Sequence, residues 1–192
     1  MLRVLIKTMR YIFFLFLMIL SFNLAFVKEL PGDSVYNLGS KLIEYNGKVI
    51  DIIDLKGKVQ VFSMIYTNCK TICPIIISNM KTLYKLIPEE NLKDINFVLI
   101  SLDPDRDSVE SLNKFFFDRE FNKQHWRLFK TTKDETLKIA LTVGIKYKKE
   151  KNSEYTHSNL IVILDKNGVV KFHHQGLSKD YNSLIKLIKN LI

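Results

Sequence analysis

Cys69 and Cys73 are the only two cysteines in the chain. They stand four positions apart, between an apolar run at 59–66 and an amphipathic run that begins near Pro74. That is where a buried strand should give way to a helix. On the first turn of a helix, positions i and i+4 share a face, so both sulfurs can point at one atom. The positive end of the helix and the neighbouring Lys70 both favour thiolate over thiol. Thiolates bind soft metals and attack disulfides, and this pair is equipped for either. The plainer reading is two inert cysteines packed as small apolar side chains. Two thiols cannot build a disulfide scaffold of several bridges or a four-cysteine zinc site.

The elements that must hold this loop follow from periodicity. Stretches at 42–45 and 49–53 join through Asn46-Gly47, a hairpin signal in which both central positions of a type I′ turn need positive φ. The run 59–66 (VQVFSMIY) has the length of a buried strand, and 96–102 (NFVLISL) is a second. Between them lies a helix carrying Ile75, Ile76, Met80, Leu83 and Leu86. Asp107 with Glu110 reads as the capping box of a helix at 108–117. Thr132 caps another at 133–143, stopped by Gly144. Residues 159–164 and 169–173 make a second hairpin around Lys166-Asn167-Gly168, and a last helix spans 179–191. Strands alternating with helices and closing on an antiparallel hairpin imply an α/β protein, a mixed sheet flanked by helices on both faces.

The N-terminus reads as an address or an anchor. Residues 11–27 (YIFFLFLMILSFNLAFV) carry no charge and follow Arg3, Lys7 and Arg10, the layout of a signal peptide or a single membrane anchor. A small-x-small cleavage motif is missing, which favours a retained anchor. Basic residues stay on the cytoplasmic side, so the rest of the chain is expected on the periplasmic side of a bacterial inner membrane. Residues 28–38 then form a linker and 39–192 the domain. The formal charge of +9 shrinks once this flank is set aside: the remaining bases exceed the 20 acids by six. Those lysines are scattered among acids as on a solvated surface, and no nucleic-acid partner is expected.

Three motifs then resemble one family in the same order. A strand ends in Thr67-Asn68-Cys69-Lys70-Thr71-Ile72-Cys73-Pro74; another runs into Asp103-Pro104-Asp105-Arg106-Asp107; and Tyr155-Thr156-His157-Ser158 precedes the strand NLIVILDKNG. From about Val35 to the C-terminus the chain resembles the Sco/SenC proteins, copper-binding thioredoxin-fold proteins that assist assembly of cytochrome c oxidase. It departs from them in Lys70, where proline is frequent, and in Thr156, where an acid is frequent.

The resemblance implies a thioredoxin-like sheet and a copper site of Cys69, Cys73 and His157. The donor set agrees, since thiolates select Cu(I) and imidazole helps hold Cu(II). Three ligands leave the metal open on one side for transfer, whereas zinc would prefer a fourth. The expected role is a copper chaperone whose partner is a copper-accepting oxidase subunit, with thiol-disulfide oxidoreductase activity left open. The competing reading is a metal-free thiol-disulfide oxidoreductase in which Cys69 attacks and Cys73 resolves; a peroxidase of this fold or a redox sensor would share these residues. Elsewhere, His173 and His174 are adjacent, point to opposite faces of a strand and read as surface residues. His125 beside Trp126 reads as a packed or surface histidine, Met64 as core, and Asp103 either as a turn residue or as a lining of the site.

Overall fold

A computed structural model describes residues 9–11, 29–150, 155–175, 178 and 180–192. Apart from residue 11, the apolar segment at 11–27 lies outside them, and among the described residues no helix is long and apolar enough to cross a membrane.

Nine strands run in chain order: β1 (Lys41–Glu44), β2 (Val49–Asp51), β3 (Val59–Ile65), β4 (Ile95–Ser101), β5 (Trp126–Lys130), β6 (Tyr147–Lys149), β7 (Tyr155–His157), β8 (Leu160–Leu164) and β9 (Val170–Gln175). The helices are α1 (Ile72–Leu86), α2 (Glu89–Leu92), α3 (Val109–Asp118), α4 (Lys133–Thr142) and α5 (Tyr181–Leu191), with 3-10 turns at Val35–Leu38 and Ile52–Leu55. Seven strands form one sheet in the order β2-β1-β5-β4-β3-β8-β9, and β6 and β7 form a separate ribbon. Strands β3, β4 and β5 are parallel, and the outer pairings are antiparallel.

The central strands β3 and β4 are buried at every residue, which is why they read as unbroken apolar runs and not as alternating ones. Alternate side chains enter two cores. Val61, Ile65, Phe97 and Leu99 meet α1, α3 and α5 on one face; Phe62, Met64, Val98 and Ile100 meet α4 and the 3-10 turns on the other. Burying one such side chain is worth about 1.5–3 kcal/mol. The result is a thioredoxin-like mixed α/β fold with helices on both faces of the sheet.

Three local expectations are corrected. At the first hairpin only Gly47 has positive φ, at 86°, and its amide bonds to Glu44 O at 2.8 Å while Glu44 N bonds to Lys48 O at 2.8 Å. This is a turn followed by a left-handed glycine, not a type I′ turn: the bonded turn centres on Tyr45 and Asn46, and neither has positive φ. The α3 cap is Ser108, whose hydroxyl accepts from Ser111 N; Asp107 is turned inward instead. Strand β5, absent from the sequence reading, lies between β1 and β4, its pattern masked by Arg127 and Lys130. Gly144 ends α4 as expected: its φ is +73°, and a Cβ there would lie 2.8 Å from His173 Nε2.

Candidate metal centre

The cysteine loop begins where β3 ends. Cys69 N donates to Tyr66 O at 3.2 Å, closing a tight turn. Asp107 braces that turn, accepting from Thr67 N at 3.2 Å, from Thr67 Oγ1 at 2.5 Å and from Ser101 Oγ at 2.5 Å. Helix α1 starts at Ile72, so Cys73 sits in its first turn with an amide that has no partner inside the helix. That amide points at Cys69 Sγ, 3.4 Å away.

The β6–β7 ribbon brings the third side chain. His157 Nε2 is 3.3 Å from Cys73 Sγ, and the ligand atoms of Cys69, Cys73 and His157 all lie within 4.8 Å of one another. No acid stands directly before the histidine to fix its ring, since position 156 is a threonine. The backbone does the job: His157 Nδ1 is 3.1 Å from Ser158 O. A proton on Nδ1 donates there and leaves the Nε2 lone pair facing the sulfurs. The cysteines are 5% and 1% exposed and His157 is half-buried, so the histidine is the open side. A cleft of about 340 Å³ runs beside it, lined by Lys146, Tyr147, Lys148 and Thr156.

The two thiols differ. Burial raises the Cys69 thiol, but hydrogen bonds from the Cys73 amide and thiol, the Thr71 amide and His157 outweigh it and bring the group down to about 6. Lys70 points to solvent and is not among those causes, contrary to the role its position suggests. Burial pushes the Cys73 thiol far up, reinforced by the sulfur of Cys69. A thiolate, a thiol and an imidazole on one point form a soft, partly open donor set.

Asp103 lies beside the centre but outside it. It is buried, paired with Arg106, and accepts from Tyr155 OH at 3.2 Å. Tyr155 packs on Tyr66 with ring centroids 5.4 Å apart, and Tyr66 meets the His157 ring at 6.1 Å. Asp103 therefore acts through the wall of the site. The sequence reading missed Tyr155, although it lies two residues before His157 on the same strand and hence on the same face. Of the other candidates, Met64 is core and His125 packs near Tyr84, with ring centroids 5.9 Å apart. His173 is exposed with Nε2 2.8 Å from Val143 O. His174 differs from its surface reading: it is buried, with Nε2 3.1 Å from Ser178 O.

A family model described as SCO1/SenC matches residues 36–192. The SCO1 protein homolog of Bacillus subtilis (strain 168) is 26% identical over 149 residues, covering 76% of this chain and 77% of the relative. A SCO1/SenC family lipoprotein from Bacillus anthracis str. Ames superposes with a TM-score of 0.72 at 32% identity, over 79% of this chain and 91% of the other. The Arabidopsis thaliana ScoI structure with copper bound gives a TM-score of 0.66 at 22% identity, over 78% and 94% of the two chains, a likeness of fold.

Proposed function

The chain belongs to the SCO1/SenC family, and on that premise we propose that it binds one copper ion through Cys69 Sγ, Cys73 Sγ and His157 Nε2 and hands it to the copper site of a cytochrome c oxidase subunit. The observation that carries this reading is the convergence of the three donor atoms within 4.8 Å. Two sulfurs and an imidazole are the donors copper takes in both oxidation states. Proteins of this kind are represented by a copper-bound plant ScoI and by the Sco family of cytochrome c oxidase assembly proteins. The cleft beside His157 leaves a side from which an acceptor's ligands can approach. Lys146 and Lys148 on that cleft suit an acceptor with an acidic rim.

Residues 11–27 anchor the domain on the periplasmic side of a bacterial inner membrane in this proposal. Its support is the uncharged run behind Arg3, Lys7 and Arg10.

The unequal thiols favour a second reading, disulfide reduction. The Cys69 thiolate attacks a partner disulfide, forming a mixed disulfide and releasing one partner thiolate. Cys73 then loses its proton and displaces the partner's second sulfur, leaving Cys69 and Cys73 joined and the partner reduced by two electrons. Anaerobic titration of the reduced chain with copper, beside a disulfide-reductase assay, separates the two. One copper per chain, lost in both Cys69→Ser and Cys73→Ser, with negligible turnover supports the chaperone. Turnover without stoichiometric copper supports the reductase and overturns it.

A further inference from the structure

Strands β3, β4 and β5 are parallel and all begin at the end of the sheet opposite the cysteines, about 20 Å away along β3. A pocket of about 390 Å³ opens there. Five cations line it: Lys48, Lys56, Lys58, Lys123 and Arg127. Two carboxylates share the lining, and both are engaged: Glu44 pairs with Arg127, and Asp54 accepts from Asp51 N at 3.0 Å. Lys48, Lys56 and Lys58 have no carboxylate partner among the described residues. Converging like charges repel one another, and the pocket holds a positive potential that an anion would relieve.

Asn96 adds an uncharged polar group to the lysines. It also lines the pocket, is only 6% exposed, and its carboxamide makes no hydrogen bond to a described residue. Its amide atoms are not sealed in protein but open onto the pocket, where they can donate to or accept from a ligand. We propose that the pocket binds the phosphate group of an anionic ligand, the lysines supplying charge and Asn96 a directed hydrogen bond.

The chain's entry into the domain bears on the source of that phosphate. Val35 N donates to Gly168 O at 3.0 Å, and Gly57 N donates to Lys166 O at 2.9 Å. The segment arriving from the N-terminus therefore packs at the same end as the pocket. A phospholipid headgroup would be met on the side from which the chain arrives, leaving the cysteines facing away; free phosphate carries no such geometry.

The test uses the full chain in a non-ionic detergent and phosphate-free buffer. It is titrated by calorimetry with inorganic phosphate, dihexanoyl phosphatidylglycerol and dihexanoyl phosphatidylcholine, the lipids below their micelle concentration. One saturable site is expected, weakened at least tenfold in Lys56→Glu/Lys58→Glu, a pair of surface changes whose folding is checked by near-ultraviolet circular dichroism. Asn96→Ala should weaken it several-fold with the charges intact. Tighter binding of the phosphatidylglycerol than of phosphate assigns the headgroup; equal binding assigns phosphate alone; either supports the site. No saturation by either anion, equal binding of the zwitterionic lipid, or unchanged affinity in the charge-reversed variant overturns it.

Discussion

Asp107 accepts from both the amide and the hydroxyl of Thr67, so the turn after β4 fastens the turn that leads into Cys69. Removing the carboxylate strands that part-buried amide together with the buried Ser101 hydroxyl. Each buried polar group left unpaired costs about 1–3 kcal/mol. Asp107→Ala should lose about 3 kcal/mol in urea unfolding and weaken copper binding with it. Asp107→Asn keeps one acceptor oxygen and should lose less than half as much. Equal stability of Asp107→Ala and wild type would show that the brace is idle.

The acidity of Cys69 gives a pH dependence with a definite sign. Its folded pKa is about 6, below the ordinary thiol value of 9.0, so the ionised form is favoured by folding. The stabilisation is complete above pH 9, falls as the pH drops towards 6, and is gone below that. Thiolate absorbance near 240 nm should show one step with a midpoint near 6, absent in Cys69→Ser, and no second step until strongly alkaline pH. Two thiols titrating together near 9 would contradict it.

His157→Ala should weaken Cu(II) at least tenfold more than Cu(I). Two thiolates alone can hold Cu(I) in linear geometry, while Cu(II) prefers tetragonal surroundings that include nitrogen. Competition titrations in each oxidation state measure the ratio, and equal losses would remove any selective role for the imidazole.

If residues 11–27 are a retained anchor, the protein should sediment with membranes, and impermeant thiol reagents should label it from the periplasmic face under reducing, metal-free conditions. A soluble mature form beginning near Phe26 would replace the anchor with a cleaved signal. Labelling only from the cytoplasmic side would overturn both the topology and the assigned role.

The sheet's centre was legible because β3 and β4 are buried on both faces and so read as plain apolar runs. The cysteine pair was legible because four positions is one helical turn. Strand β5 was not, since Arg127 and Lys130 break its pattern; the first reaches Glu44 and the second the carbonyl of Pro104. The ribbon that carries His157 was hidden for a related reason. Its strands hold three residues each, too few to display alternation, and their pairing depends on contacts remote in sequence. Asp107 was misread because an aspartate before a helix satisfies the local rule for a cap, while its partner Thr67 lies 40 residues away. His157 itself came from motif resemblance, and nothing in its immediate neighbours reveals that Ser158 O orients it.

The ribbon of β6 and β7 is separate from the seven-stranded sheet, yet His157 at its end meets a cysteine 84 residues earlier. An ion gripped by both would close a ring of that size. Uptake of the ion would then rivet the ribbon to α1, slowing amide exchange across both. Giving the ion away would cut the rivet, so a recipient must outbid a mechanical tie as well as three bonds, and the emptied donor would be the looser of its two forms.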